Sequence, residues 1–371
     1  MSKNKTNKKK HFLIPMSGGM AIVFSLMIVG ILSAESELEK VDKARKNVLN
    51  IATLDQMEKL PGDLGPLPPV PVPADNPQTD PKIELGKMLF FDTRLSFDKS
   101  MSCATCHDPA KGYSDGLPRS IGFGGKELGR HSPTVINIAY NGAQFWDGRA
   151  STMEEQAQGP IQAAGEMNLK PEELVRRLNS TPDYKKRFLA VFGEGPSLPN
   201  VGKAIASFER TVVTQDSPFD KYMRGAKEAM TEQEKKGLIL FVGKAACSQC
   251  HSGPNFTDSS YHVLGVPQVG PEKEDLGRFG VTKNEKDKMA FKTPSLRQIN
   301  QTAPYMHNGA FGTLEEVVDF YNKGGASVPT KSSKILKLNL TKKDKEHLVA
   351  FLKALTGKLP VVSMPDLPKD H

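Results

Sequence analysis

Two short segments, CATCH at 103–107 and CSQCH at 247–251, contain all four cysteines of this 371-residue chain. Each spells Cys-x-x-Cys-His: Cys103, Cys106 and His107, then Cys247, Cys250 and His251. Three chemistries compete for such a pattern. A disulfide uses the two thiols but gives no reason for a histidine immediately after them, twice. Zinc takes four ligands, yet the two pairs sit in separate halves of the chain, each with its own histidine. Covalent c-type haem uses every position: the thiols add to the vinyl groups and the histidine ligates the iron. A redox-active dithiol is the remaining competitor. The pattern therefore predicts two covalently bound haems, with His107 and His251 as proximal ligands. It also predicts a small helical domain around each, because the porphyrin supplies much of the apolar core.

The sequence around these units repeats. SPTVINIAYNGAQFWDGRASTMEEQ (132–156) aligns with TPSLRQINQTAPYMHNGAFGTLEEV (293–317) without a gap, so that Trp146-Asp147-Gly148 meets His307-Asn308-Gly309. Upstream, LGKMLF (85–90) matches KGLILF (236–241), each just before its cysteine pair. Two copies of one module are the economical reading, with the boundary near Gln215–Ser217. Helical patterns dominate, as in PEELVRRLNS (171–180), NVGKAIASFERTVV (200–213), TEQEKKGLILFV (231–242), GTLEEVVDFYN (312–322) and TKKDKEHLVAFLKAL (341–355). Strand signals are few, and glycine-rich loops such as GFGGKELG (122–129) separate the helices. The expectation is an all-α chain of two cytochrome c-like domains, 82–215 and 216–357, followed by a tail, 358–371.

The formal charge is +8. Five lysines and no acid stand in residues 1–34, and without them 45 basic face 42 acidic side chains. The basic character is thus a property of the N-terminus, and no basic run with interleaved aromatics points to nucleic acid. Residues 1–34 read as an export signal or membrane anchor, lysines first and then the apolar MAIVFSLMIVGIL (20–32). Leu32 makes a poor cleavage site before Ala34, which favours a retained inner-membrane anchor over 12–34. In either case the bulk of the chain is outside the cytoplasm, in the periplasm. Residues 35–81 read as a polar stalk and then an extended linker without a core of its own, with eight prolines in 61–81.

At LFFDTRLSFDKSMSCATCHDPAKGYSDG, RHSPTVINIAYNGAQFWDGRA, EEQAQGPIQAAGEMN, CSQCHSGPNFTD and TPSLRQINQTAPYMHNGAFGTLEEVVDFY, the chain resembles the bacterial di-haem cytochrome c peroxidases and their relative MauG, over about 82–357. The resemblance implies that the N-terminal haem is peroxidatic, with Glu166 as distal acid–base group and Gln156 as its hydrogen-bonding partner. Read alone, the two would pass for a surface loop acid and a helix residue. It implies a role for Trp146, the only tryptophan, in electron transfer between the haems. It also implies an interdomain calcium held by the carbonyls of Thr302 and Pro304, and an asparagine in place of which this chain has His131, a poor ligand for a hard cation. His131 reads as a surface residue or a displaced distal ligand.

Two further departures matter. Where ordinary members place a blocking histidine, the loop reads SIGFGG and offers Phe123, which cannot ligate iron. Where they place the second ligand of the C-terminal haem, a methionine, this chain has Tyr321, as MauG-like proteins do; Met306 is the alternative. The function implied is reduction of hydrogen peroxide with electrons from a small cytochrome c or cupredoxin. A MauG-like oxidation of a partner protein and a non-enzymatic di-haem carrier are the alternatives. Family members are often homodimers.

Overall fold

The computed structural model describes residues 60–271 and 274–369. The expected signal or anchor, and the stalk up to residue 59, lie outside the described residues. Among these, no helix is long and apolar enough to cross a membrane. Helices dominate, and the only sheet described is a pair of two-residue antiparallel strands, β1 (Tyr261–His262) and β2 (Phe291–Lys292).

Two apolar clusters organise the chain. The first runs from Leu85 to Val212; the second holds Phe219 to Leu355 together with Leu60 and Leu64. Each is built on one pair of crossing helices. In the first, α1 (Asp80–Phe91) packs on α6 (Leu198–Glu209); in the second, α8 (Glu232–Val242) packs on α11 (Lys342–Lys353). Local chemistry starts each helix. Pro81 opens the first turn of α1; the Ser197 hydroxyl accepts from the amide of Asn200 at the head of α6. Capping boxes of Thr231 with Glu234 and Thr341 with Asp344 begin α8 and α11.

The LGKMLF/KGLILF match becomes geometry at these crossings. A β-carbon on Gly86 would collide with the Ala204 carbonyl, and one on Gly237 with the His347 carbonyl. Glycine is what allows each pair of backbones to touch. One turn further along, Phe90 meets Phe208 and Phe241 meets Phe351, both edge-on with ring centres 5.1 Å apart. Each such pair adds roughly 0.5–1.5 kcal/mol beyond its burial.

The second repeat is reproduced with similar fidelity. Asn137 and Gln298 both take left-handed backbone, at φ 59° and 60°. Single β-bridges join Gln144 to Ala150 and Tyr305 to Phe311. Thr152 then caps α3 (Met153–Gln162) through the Glu155 amide, and Thr313 caps α10 (Leu314–Asn322) through that of Glu316.

The segments flanking the modules differ from expectation. The proline-rich stretch has a partner: Leu60 and Leu64 are buried in the second cluster, and Arg297 donates to the Gly65 carbonyl at 2.9 Å. The 358–371 segment crosses the other way. Leu359, Val362 and Leu367 pack on the first cluster, and Arg94 donates to the Pro368 carbonyl at 2.7 Å.

Replacing Gly237 by alanine should force α8 and α11 apart and cost about 1–3 kcal/mol. Chemical denaturation of the mature protein reads this as a lower midpoint, whereas alanine at the open Gly124 or Gly193, both at positive φ, should cost less.

Candidate haem and peroxide site

The first cysteine pair forms a single helical turn, α2 (Cys103–Cys106), whose capping box links Ser102 and Thr105. His107 follows, its amide bonded to the Cys103 carbonyl at 2.9 Å. Its Nδ1 lies 3.2 Å from the Tyr113 carbonyl oxygen. A carbonyl only accepts, so Nδ1 carries the hydrogen and Nε2 keeps its lone pair for a metal. Ser132 braces the same ring, 3.3 Å from Nδ1, while donating to the Cys106 carbonyl at 2.9 Å. Burial holds the imidazole below its ordinary pKa, and hence neutral.

The second pair repeats this. The His251 amide bonds to the Cys247 carbonyl at 2.9 Å, and its Nδ1 lies 3.0 Å from the Phe256 carbonyl oxygen. Cys247, Cys250 and His251 line a cavity of ≈ 260 Å³, which Tyr321 and Met306 also reach. Burial, then the two thiols Cys247 and Cys250, push the Tyr321 phenol well above its ordinary pKa. The tyrosine thus stands within electrostatic reach of both anchoring sulfurs. Cys250, Asp258 and His262 bring potential metal-ligand atoms within 4.8 Å of one another. That trio takes one thiol of the pair and has no counterpart at Cys106 among the described residues. A c-type haem fits both units, because each offers two thiols and one imidazole with its free nitrogen fixed.

Glu166 occupies the turn after α3, where its amide bonds to the Ala163 carbonyl at 2.9 Å. The Phe123 amide donates to the Glu166 carbonyl at 2.9 Å, so the loop that carries Phe123 is tied to this turn. Gly122 permits the contact, since a β-carbon there would run into the Gly165 carbonyl. Burial raises the Glu166 carboxyl pKa and the Arg149 guanidinium opposes the rise. The Glu166 charge acts on both Cys103 and Cys106; burial, with Asp115 and Glu166, pushes the Cys106 thiol up to about 11. Glu166 is thus not a surface acid but a half-buried carboxyl within electrostatic reach of the first thiol pair. Gln156 is half-buried on α3; its backbone amide donates to the Thr152 carbonyl at 3.1 Å, and its side-chain amide makes no hydrogen bond to a described residue.

Between the two units the backbone is reciprocal. His131 donates its amide to the His307 carbonyl, and Lys292 donates its own to the Trp146 carbonyl, both at 2.8 Å. Trp146 returns its indole N–H to the His131 carbonyl at 2.9 Å. Phe291 stacks on His307 with ring centres 3.6 Å apart, and Arg130 bridges Asp147 and Asp275, each at 2.7 Å. His131 is not a surface residue: it is buried, with Nδ1 on the Leu117 carbonyl at 2.7 Å and Nε2 3.4 Å from the Ser114 hydroxyl. The Leu117 carbonyl only accepts, so Nδ1 carries the hydrogen, while the Ser114 hydroxyl gives its own hydrogen to the Ser132 carbonyl at 2.9 Å. Thr302 and Pro304, whose carbonyls the resemblance offers to calcium, both line the cavity.

The sequence reading passed over two residues. Arg149 sits inside the WDGR stretch it used, and its action on Glu166 depends on a fold that no spacing announces. Lys292 is the repeat counterpart of His131, one position before the aligned block.

A family model described as di-haem cytochrome c peroxidase matches residues 80–228. The chain is 43% identical to a cytochrome-c peroxidase, IdrP1, of Pseudomonas sp. strain SCT, over 83% of this chain and 89% of that protein. It is 44% identical to the methylamine utilization protein MauG of Methylorubrum extorquens, over 81% and 85% respectively. Among solved structures, a MauG-like protein associated with microbial copper homeostasis superposes with a TM-score of 0.73 at 32% identity. That match covers 83% of this chain and 96% of the other.

Proposed function

The chain belongs to the di-haem cytochrome c peroxidase family, and from that premise we propose that it reduces hydrogen peroxide to water at an N-terminal haem held by Cys103 and Cys106. A second haem on Cys247 and Cys250 receives the electrons. One observation carries the reading: a half-buried carboxyl, Glu166, lies within electrostatic reach of the first thiol pair, in a turn tied to the Phe123 loop. Each turnover takes two electrons and two protons and releases two waters.

A haem held here would supply an iron able to bind and reduce peroxide. The protein does the rest. His107, its Nδ1 fixed by the Tyr113 carbonyl, would hold that iron through Nε2. Glu166 takes the proton from one peroxide oxygen and delivers it to the other as the O–O bond breaks, an effect worth roughly 10²–10⁴-fold. The unengaged Gln156 side-chain amide orients the peroxide. Trp146 lies in the electron path, and Tyr321 ligates the second iron as a phenolate, which stabilises the ferric state. The two apolar clusters support domains at 82–215 and 216–357. The N-terminal lysines and apolar run support a periplasmic location. The donor is a small cytochrome c or cupredoxin.

The MauG-like reading, oxidation of residues in a partner protein, is favoured by Tyr321, which stands where ordinary peroxidases place methionine. Steady-state turnover with reduced cytochrome c separates the two, since only a peroxidase sustains it. A ferric spectrum without any high-spin component would leave only the carrier.

The mature protein should carry two haem adducts by intact mass. Glu166→Gln should lower peroxide turnover by about 10²-fold or more with the ferric spectrum nearly unchanged; activity within a few-fold of the starting protein would make the glutamate a bystander.

The acid limb of kcat/KM should follow Glu166, whose carboxylate form is the active one. Its pKa is raised by burial and held down by Arg149. Activity therefore falls as pH drops through that raised value, and Arg149→Gln should move the limb to higher pH. An unmoved limb would assign the titration elsewhere.

With Phe123 in the loop, peroxide should react rapidly with the all-ferric protein in stopped flow, without pre-reduction. Tyr321→Phe should turn the second haem high-spin or bring in a new ligand, and an unchanged spectrum would favour Met306.

A further inference from the structure

Five cations are buried among the described residues: Lys82, Arg94, Arg210, Lys292 and Arg297. Four have partners. Arg94 pairs with Asp92 at 2.9 Å, Arg210 with Glu154 at 2.7 Å and Arg297 with Asp220 at 3.0 Å. Lys82 donates to the Asn76 amide oxygen at 2.9 Å and the Pro77 carbonyl at 2.8 Å. Lys292 alone differs. It is 7% exposed, and its ammonium, without a partner among the described residues, is not fully enclosed by protein. Burial alone pushes its pKa down to about 8. A charge taken out of water is kept only where a counter-charge repays its lost hydration.

The side chain's place says which anion. Lys292 ends β2, and its residue lines the same cavity as Cys247, Cys250 and His251. A haem bound there brings two propionate carboxylates into that space. Asp275 also lines the cavity, but its carboxylate is committed to Arg130. Resting on the di-haem reading above, we propose that Lys292 binds a propionate of the C-terminal haem and raises that haem's reduction potential.

The pairing is confined to one module. The repeat counterpart of Lys292 is His131, a ring that burial holds below its ordinary pKa and that donates from Nδ1 to the Leu117 carbonyl. A cation that neutralises a propionate disfavours ferric iron, so Lys292 offsets part of what a tyrosinate ligand does. It is a positioning residue, acting on the iron through the porphyrin edge.

The test uses the mature protein, its haem count checked by intact mass, with Lys292→Met and Lys292→Arg. Potentials are read at the low-spin ferric signal. Lys292→Met should shift the ferric-to-ferrous ratio at a fixed potential about tenfold toward ferric, a fall of about 59 mV. Lys292→Arg should stay within about twofold of the starting protein. Coincident titrations of the methionine variant and the starting protein would overturn the pairing. Should the methionine variant fail to mature, a structure of the unaltered two-haem protein decides: Nζ within about 4 Å of a propionate oxygen supports the pair, and Nζ on water alone overturns it. Fewer than two haems on the unaltered chain would sink the di-haem reading itself, an outcome distinct from two haems with an indifferent Lys292.

Discussion

A histidine can ligate a metal only through a nitrogen that holds no hydrogen. In this chain that choice is made twice by a backbone carbonyl, Tyr113 for His107 and Phe256 for His251. Everything else at the two sites follows from these bonds. They require the chain to turn back five or six residues after the histidine, which the loops behind each cysteine pair accomplish. They require a dry setting, which the phenylalanine clusters at the two helix crossings provide. They leave the opposite side of each histidine ring to be furnished separately, and there the two modules part company.

Shared scaffold and divergent contents are thus separable. The left-handed residues, the single β-bridges and the threonine caps coincide at equivalent positions, because they shape the backbone around a group common to both modules. The side chains near the two thiol pairs do not coincide. Glu166 lies within electrostatic reach of the first pair and Tyr321 of the second. His131 and Lys292 occupy equivalent positions and make the same backbone bond, yet one is a neutral ring and the other a buried ammonium. A duplicated fold has kept its geometry and changed its electrostatics.

The cysteine pattern, the repeat and the five named helices were legible because each rests on local chemistry: thiol spacing, capping residues, apolar periodicity. Thr341 with Asp344 marks a helix start in any context. Helix α1 was passed over because it begins where the proline-rich stretch ends. The burial of His131, the tie between Phe123 and the Glu166 turn, and the isolation of Lys292 are contacts between distant segments. No local rule encodes them. His131 looked like a surface residue because polar flanks surround it, and its burial comes from Leu117, Ser114 and Trp146 arriving from elsewhere in the chain.

Leu60 and Leu64 complete the second core, and Leu359, Val362 and Leu367 complete the first, so each module is walled partly by chain from beyond the other. Synthesis proceeds from the N-terminus. The first module therefore waits for Leu359, Val362 and Leu367 before its apolar wall closes, even though its cysteines emerge first. For the same reason the joint between Val212 and Phe219 is no place to divide the molecule: a cut there yields two fragments, each missing part of its own core.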